Sequence, residues 1–368
     1  MSSIQSPFSK FVLIVYPVVT SIGNDNMGGF SHLKGNIEVY KRLGFRVACL
    51  CRFHPKIIQI KNGVYFFNLI PGRSEPKAEL SQYAGVGHNK NFDLVRRSLI
   101  RVRALSSILV LKALMFLFRP AVVHQRANGR IMAPRLIAKA KYLLELNDEF
   151  ECNANSDAFL SVLPREHINL PSLINPWPVV GGDYIDAERL KMKFCNISSK
   201  KSLQIVLFGF GGIDDIEEVT EFLSDHAWLR YRDYKLCIYG AKGKNFGNVV
   251  FKGFVDDSTA KLEKYDIGLI FYSKKIYSDA RILQGDPSKF YKYVDANLPI
   301  ISNREYVSSY YLNNMDLSTL VFESDNLLEK SIQNMIMRRK SASISFYAHR
   351  LGELLKLLHC QVEEVPSI

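Results

Sequence analysis

The fold of this chain is decided by one stretch, GDPSKFYKYVDANLPII, residues 285–301. Asp286 is a good N-cap and proline is tolerated at the first helical position, so a helix is predicted to begin beside Pro287. The free amides of a helix start attract a phosphate, and Lys289 adds a positive charge there. The helix ends before the next proline, where Ile300-Ile301 opens a buried strand. This order of elements is typical of nucleotide-binding α/β proteins.

Strands and helices alternate through most of the 368 residues. The first half is predicted to contain strands at Phe11–Tyr16, Gly44–Leu50, Val64–Leu69, Ala121–His124 and Tyr142–Leu146, with helices over Ser31–Leu43 and up to Ala138. The second half is predicted to contain strands at Gln204–Phe208, Lys235–Tyr239, Val249–Phe251, Ile267–Phe271 and Pro299–Ser302, with helices at Asp214–Leu223, Ser258–Lys264 and Ser345–Leu358. Such alternation predicts parallel sheets covered on both faces.

A proline-rich region interrupts this alternation near the middle of the chain. Residues 164–201 contain four prolines, a Gly-Gly pair and a Ser-Ser-Lys-Lys run, a composition that suits an interdomain hinge. The length is sufficient for two domains with separate cores. We therefore predict an α/β protein with two doubly wound, Rossmann-like domains, 1–172 and 173–344, and a cleft between them. The last segment, 345–368, follows the second domain, and the alternative is that it packs back on the first domain.

The composition is that of a soluble globular protein, with 47% hydrophobic and 23% charged residues. No uncharged apolar run reaches the length of about 18 residues that a membrane-spanning helix needs. The short apolar run from Phe11 to Val15 is interpreted as a strand rather than a signal peptide. The six cysteines are scattered, and Cys49-x-Cys51 has no second pair at zinc spacing, which favours reduced thiols in the cytoplasm.

Most of the net charge of +12 lies in one window of the sequence. Residues 90–141 contain twelve Lys or Arg and a single acidic residue, Asp93. Within this window, residues 94–118 mix basic and large apolar side chains, a pattern typical of helices that lie on an anionic membrane surface. A core helix with a solvated basic edge is the main alternative. Nucleic acid is not an expected partner, because no nucleic-acid motif accompanies the window.

Five short motifs follow one another in the first half, namely Met27-Gly28-Gly29, Leu43–Val47, Val122–Arg126, Glu145–Asp148 and Ile174-Asn175-Pro176. In this order they resemble the Gly-Gly loop, the Leu-x-x-x-Gly-His-x-Val ending, the Val-Val-His-x-His strand end, the following strand end and the linker of GT-B glycosyltransferases.

The second half resembles the same fold family. Ile205–Gly211 is similar to its first strand and glycine loop, and Val250–Val255 and Tyr265–Leu269 are similar to its Phe-x-Gly-x-Val and Tyr-x-x-Ala-Asp-Ile segments. Residues 285–301 resemble the Pro-Ser-Lys-aromatic-x-Glu-Tyr segment of the family-4-like group. The resemblance implies a nucleotide-sugar glycosyltransferase, with the xanthan-type glucuronosyltransferases as neighbours.

The resemblance also implies a donor site in the second half. A UDP- or GDP-linked sugar would place its base against the backbone and its diphosphate at the start of the helix beside Pro287. Positive side chains and helix amides there would stabilise the departing diphosphate, so no metal ion and no cofactor is expected. The implied donor-binding residues are Gly209, Gly211, Phe254, Val255, Ser288, Lys289 and Lys292.

The first half would then hold the acceptor, a glycan or a lipid-linked glycan in cell-surface polysaccharide assembly at the inner face of the membrane. Gly28 and Gly29 are predicted to let backbone amides approach it from a loop, with Arg126 nearby.

A catalytic base is needed only if the reaction inverts the anomeric centre. Asp148 is the best-placed carboxylate, with Asp25 and Glu145 as alternatives. Both stereochemical outcomes remain open. His124 is interpreted as a buried histidine at a strand end rather than as a catalyst.

The sequence departs from the family pattern at several positions. Gly285 and Lys292 occupy the positions of two family glutamates, Phe210 lies near the place of the usual arginine, and Arg126 replaces a histidine. The added positive charge suggests a uronate donor or a lipid diphosphate acceptor.

Two other functions stay open. The missing glutamates suit a nucleotide-binding protein of GT-B ancestry without turnover. The run Gly209-Phe210-Gly211-Gly212 suits a nicotinamide-dependent dehydrogenase, although Asp214 stands where the third glycine of the fingerprint belongs.

Overall fold

A computed structural model describes most of the chain, in two compact units. The described residues are 10–19, 28–52, 58–68, 108–126, 135–137, 139–146, 156–161, 170–174, 178, 180, 186–209, 216–226, 229, 231–241, 243–253, 261–273, 288–303 and 325–365. Unit 1 comprises Met1–Ser161, Glu166–Leu173 and Ala348–Ile368, and unit 2 comprises Val162–Arg165 and Ile174–Tyr347.

The first sheet has eight strands in the order β3-β4-β2-β1-β5-β6-β7-β8. The strands are β1 Phe11–Val19, β2 Arg46–Arg52, β3 Ile58–Lys61, β4 Val64–Asn68, β5 Val122–Arg126, β6 Lys141–Leu146, β7 Ala158–Ser161 and β8 Ser172–Ile174. Each pair of neighbouring strands from β4 to β7 in this order is parallel, whereas β3 pairs with β4 in the antiparallel direction. The central strands are apolar and buried, as expected for a parallel sheet with both faces covered.

Helices cover both faces of this sheet. The helices of unit 1 are α1 Gly28–Arg42, α2 over residues 108–118, and the part of the last helix, α7 Ile344–Leu357, that follows Tyr347. Leu111, Leu114 and Met115 of α2 are buried against Leu13 and Val123 of the sheet. The chain after α7 returns to α1, where the Glu363 amide donates to the Leu43 carbonyl at 3.1 Å.

The second sheet, in unit 2, has five parallel strands in the order β11-β10-β9-β12-β13. These are β9 Ser202–Phe208, β10 Asp233–Tyr239, β11 Val249–Gly253, β12 Ile267–Ile270 and β13 Ile300–Ser302. The accompanying helices are α3 Ala187–Ser199, α4 Ile216–Asp225, α5 Ser288–Asp295 and α6 Asp325–Ser341. The fold class is therefore the predicted one, α/β with two Rossmann-like units.

Helix α5 is tied to the second sheet by Tyr293, which is completely buried. Its hydroxyl accepts a hydrogen bond from the Phe208 amide at 2.8 Å and lies 3.0 Å from the carbonyl oxygen of Leu269. Burial raises the pKa of Tyr293, so the hydroxyl keeps its proton and can donate to that carbonyl. One side chain thus connects α5 to β9 and to β12.

Gly268 provides the space for the Tyr293 ring. A Cβ atom added at Gly268 would lie 2.5 Å from two ring atoms of Tyr293. We expect Gly268→Ala to lower the free energy of unfolding by about 1–3 kcal/mol through overpacking, measured by chemical denaturation. In a double-mutant cycle with Tyr293→Leu, the cost of Gly268→Ala should shrink, because the ring is gone. Additive effects of the two changes would contradict this explanation.

Several element boundaries differ from the sequence-based expectations. The predicted hinge at 164–201 is wrong over Ala187–Ser199, which forms α3 behind an Asp186 side chain that accepts the Arg189 amide at 3.0 Å. The predicted helix Ser258–Lys264 is reduced, in its described part, to a 3₁₀ turn at Leu262–Lys264. Residues 135–137 are not helical, so a helix reaching Ala138 is wrong.

The strands β3, β7 and β8 and the helix α6 were not predicted from the sequence. Strand β3 forms a hairpin with β4 through Asn62 and Gly63, whose φ angles are 49° and 75°. Asn-Gly is the usual pair for such a turn, so this hairpin had a local signal.

None of the helices among the described residues is long and apolar enough to cross a membrane. The same residues contain no group of three or more His, Cys, Asp or Glu arranged to hold a metal ion.

Candidate functional site

The carboxyl edge of the second sheet carries three glycines in the left-handed conformation. Gly209 follows β9, Gly240 follows β10 and Gly253 ends β11, with φ angles of 82°, 86° and 71°. The Gly240 amide donates to the Gly253 carbonyl at 2.8 Å, and the Gly209 amide donates to the carbonyl of Tyr239, the residue before Gly240, at 3.1 Å. Side chains rarely adopt this conformation, so the edge exposes backbone where a ligand can approach closely.

The order in which successive strands are added to the second sheet reverses between β9 and β12. From β9 the chain proceeds to β10 and β11 on one side, whereas β12 and β13 lie on the other. In open α/β sheets a ligand binds outside the carboxyl ends of the strands at such a switch point. Gly209 and the residues after Ile270 flank this place.

Lys289 of α5 lies at the switch point. Its side chain is buried, and its Nζ donates a hydrogen bond to the Gly209 carbonyl at 3.2 Å. The same Nζ lies 5.1 Å from the ring centroid of Tyr272. An ammonium group in the first turn of a helix at the switch point of a sheet makes this lysine a candidate for binding an anion.

Lys292 lies one turn further along α5, on the side of β9. Its Nζ is 4.6 Å from the ring centroid of Phe208, the last residue of that strand. Residues three apart on a helix are neighbours on its surface, so α5 presents two ammonium groups beside the end of β9.

Asn303 directly follows β13, on the side of the switch point opposite to Gly209. Its Oδ1 accepts the Tyr272 amide at 3.2 Å, and its Nδ2 donates to the Tyr272 carbonyl at 2.8 Å. These two hydrogen bonds hold the backbone of Tyr272, whose ring lies beside Lys289, next to the end of β13. Tyr272 and Asn303 were not predicted as site residues, although both directly follow predicted strands.

The structure brings together three of the predicted donor-binding residues, Gly209, Lys289 and Lys292. Ser288 is the first residue of α5. Gly211, Phe254 and Val255 lie outside the described residues, and so do Asp148, the candidate base, and its alternative Asp25. Their predicted roles stay predictions.

Unit 1 has a buried polar cluster at the carboxyl ends of β5 and β6. Glu145 Oε2 lies 2.9 Å from Nε2 of His124 and accepts a hydrogen bond from Nδ2 of Asn36 at 3.0 Å. The Tyr40 hydroxyl lies 3.2 Å from Nδ1 of His124. The consistent assignment has Tyr40 donating to Nδ1 and Nε2–H donating to Glu145.

Arg126 completes this cluster. It is the register partner of Glu145 across β5 and β6, and its Nε lies 3.7 Å from Glu145 Oε1. Its guanidinium lies 4.8 Å from the ring centroid of Tyr16 on β1. Strand β1 and strand β5 flank the switch point of the first sheet, so this cluster occupies the position in unit 1 that Lys289 occupies in unit 2.

The Glu145 carboxyl is ionised in this cluster. Burial alone would raise its pKa, but the hydrogen bond with His124 and the charges of Arg126 and His32 outweigh burial and lower it. Among the described residues, no hydrogen bond reaches Oε1 of Glu145 or the hydroxyl of Tyr16. Buried polar atoms of this kind usually bind a water molecule or a ligand group. Because Glu145 is completely buried, its position suits orienting His124 and Arg126.

The low pKa of Glu145 predicts an acid-dependent stability. The stabilising contribution of the carboxylate should be complete above its ordinary pKa of 4.5 and lost as the pH falls through the lower folded value. We expect Glu145→Gln to destabilise the protein at neutral pH. Between pH 4.5 and the lower pKa of the folded state, the deficit of Glu145→Gln should shrink by up to about 1.4 kcal/mol per pH unit, measured by urea denaturation.

The exposed Glu221 provides the matched control. Glu221→Gln should change the free energy of unfolding by less than about 0.5 kcal/mol at every pH. A Glu145→Gln deficit that stays constant from neutral to acid pH would contradict an ionised Glu145.

Gly28 and Gly29 are not in a loop, contrary to the prediction. They are the first two residues of α1, after the chain leaves β1. Their predicted contact with an acceptor would therefore be made by the amino end of a helix, where backbone amides lack intrahelical partners.

The sequence itself matches no protein-family model and no curated protein. Solved structures do match. One is the alpha,alpha-trehalose-phosphate synthase (UDP-forming) from Burkholderia xenovorans in complex with glucose-6-phosphate, at 12% identity and a TM-score of 0.55, covering 95% of this chain and 100% of that chain. Another is the alpha,alpha-trehalose 6-phosphate synthase from Burkholderia multivorans, at 8% identity and a TM-score of 0.52, covering 95% and 99%.

Proposed function

We propose that this chain is a glycosyltransferase that transfers a sugar from a nucleotide-diphosphate donor, linked to UDP or GDP, to a glycan or lipid-linked acceptor in cell-surface polysaccharide synthesis. Its fold is that of GT-B glycosyltransferases, and the UDP-forming neighbour supports a nucleotide-sugar donor. A glycosyltransferase needs a group that stabilises the diphosphate as it departs, and unit 2 offers one.

The observation that carries the proposal is the position of Lys289. It is a buried lysine in the first turn of α5, in contact with the Gly209 carbonyl at the switch point of the second sheet. The leaving diphosphate gains negative charge in the transition state, and a preorganised ammonium beside helix amides stabilises that charge. Lys292 would add a second positive charge on the same helix.

The acceptor would bind in unit 1, at the cluster around Arg126. Glu145 and Tyr16 hold the guanidinium at the carboxyl end of β5. Arg126 in unit 1 suits an anionic acceptor, such as the diphosphate of a lipid-linked glycan, and the lysines of α5 in unit 2 suit an anionic donor, such as a uronate.

The experiment is a hydrolysis and transfer assay with a panel of UDP- and GDP-sugars, neutral and uronate. We expect turnover with one nucleotide class and a preference for an anionic donor or acceptor. Preference for a neutral donor, with no loss in Arg126→Ala, would refute the anionic specificity. Tight nucleotide binding without turnover of any sugar would instead support the degenerate binding protein.

A further inference from the structure

Helix α2 has apolar side chains on two opposite faces. Leu111, Leu114 and Met115 are buried against the first sheet. On the other face, Leu109, Phe116 and Leu117 are 67%, 78% and 63% exposed. A surface helix usually places polar residues on its outer face. An apolar outer face therefore indicates an interaction surface for another protein or a membrane.

Strand β3 extends this apolar surface. Ile58 and Ile60 are exposed and pair directly with Phe67 and Tyr65 of β4. Directly paired residues of antiparallel strands lie on the same face of a sheet. Phe67 and Tyr65 pack against the cluster beneath α2, so the two isoleucines lie on the face that α2 covers. We call Leu109, Phe116, Leu117, Ile58 and Ile60 the apolar strip.

Basic side chains border the apolar strip. Lys112 and Arg119 flank it on and after α2, and Lys61 ends β3. Arg46 lies at the same end of α2, because its guanidinium is 4.5 Å from the Phe11 ring, which is itself 5.1 Å from the Phe118 ring. Residues 58–61 and 108–119 contain no acidic residue.

We propose that the apolar strip docks this protein onto an anionic lipid bilayer. The apolar side chains would enter the headgroup region, while the basic border contacts lipid phosphates. Each basic residue near such a surface adds attraction, and salt weakens it. Two copies of the chain packed through this face would bring like charges together, and nucleic acid would leave the apolar side chains exposed. The proposal stands independently of the transferase reaction.

Vesicle cosedimentation of the full chain tests the proposal. The vesicles contain phosphatidylcholine alone, or phosphatidylcholine and phosphatidylglycerol in equal amounts. We expect binding to the mixed vesicles, weakened by salt, and little binding to phosphatidylcholine. Phe116→Glu should reduce binding to the mixed vesicles by about tenfold, because it replaces an inserting ring by a charge that the lipids repel. Lys112→Glu should also weaken binding to the mixed vesicles.

Leu357→Glu is the matched control, since Leu357 is 72% exposed at the end of α7 and lies outside the apolar strip. It should leave vesicle binding unchanged, and thermal unfolding should show that all three variants fold. The proposal is overturned if the wild-type chain does not bind mixed vesicles or if Phe116→Glu binds as well as wild type. It is also overturned if light scattering finds a dimer that Phe116→Glu dissociates while vesicle binding is absent.

Discussion

Lys289→Met is expected to lower kcat for sugar transfer by about 10²–10³-fold, the usual effect of removing one preorganised group that stabilises developing charge. Methionine keeps most of the length of the side chain but removes the ammonium beside the Gly209 carbonyl. The donor KM should rise less than kcat falls, because the charge on the diphosphate increases in the transition state. Steady-state kinetics with the donor identified in the sugar panel measures both values.

Lys244→Met is the control, since Lys244 is exposed in unit 2 and lies outside the site. It should leave kcat unchanged. Thermal unfolding should show that Lys289→Met and Lys244→Met both fold, so that a loss of kcat reports the missing ammonium. A transferase whose kcat survives Lys289→Met would show that the leaving group departs elsewhere.

Asp295→Ala is expected to lower the free energy of unfolding by about 1.5–3 kcal/mol, the usual effect of removing hydrogen bonds to a charged group, because the Asp295 side chain is itself partly exposed. Arg339 of α6 is completely buried, and its Nε and Nη2 donate to the two carboxylate oxygens of Asp295 at 2.6 and 3.1 Å. Removing the carboxylate leaves the guanidinium buried without its countercharge. Because Asp295 ends α5, the variant should also impair the positioning of Lys289.

Asp225→Ala provides the comparison for this variant. Asp225 is likewise the exposed last residue of its helix, α4. Both substitutions remove an unfavourable charge from a helix end, so the difference between them reports the ion pair with Arg339. Urea denaturation should show a change within about 0.5 kcal/mol for Asp225→Ala. Equal effects of the two variants would contradict a stabilising role of the pair.

The alternation of strands and helices could be predicted because buried parallel strands are short continuous apolar runs. Phe11–Tyr16 and Gln204–Phe208 lie within β1 and β9 for this reason. Helix α3 was not predicted, because the prolines before it indicated a hinge. Helix α3 follows a group of prolines, although the Asp186 N-cap and the buried Leu190, Phe194 and Ile197 are its local signature.

The predicted helix before Tyr265 failed for a backbone reason. Lys261 has a φ of 40°, a left-handed conformation that an α-helix does not accommodate, and only a 3₁₀ turn follows it. The residue types of this segment do not reveal that conformation, which depends on how the chain enters β12.

The placement of Lys289 could be predicted because a helix start after a parallel strand lies at the carboxyl edge of the sheet. The contacts that hold α5 in place could not be predicted. Tyr293 hydrogen-bonds to Phe208 and Leu269, which lie 85 and 24 positions away in the sequence. No local pattern encodes those contacts.

The cluster in unit 1 was only partly predictable. His124 is buried, as the sequence suggested, but it lies in the middle of β5 rather than at its end, and Arg126 and Glu145 were both noticed. What the sequence did not reveal is that the three act together. That follows from the register of β5 and β6, which pairs Arg126 with Glu145, and from Asn36 and Tyr40 on the facing side of α1.

The central claim is that a nucleoside diphosphate binds at the amino end of α5, against Lys289. Calorimetric titration of the full chain with UDP and with GDP, in the presence of a chelator, tests it most directly. We expect one of the two nucleotides to bind without a divalent cation, with at least about tenfold weaker binding to Lys289→Met and unchanged binding to Lys244→Met. Absence of binding by either nucleotide, or equal binding by wild type and Lys289→Met, would contradict the claim.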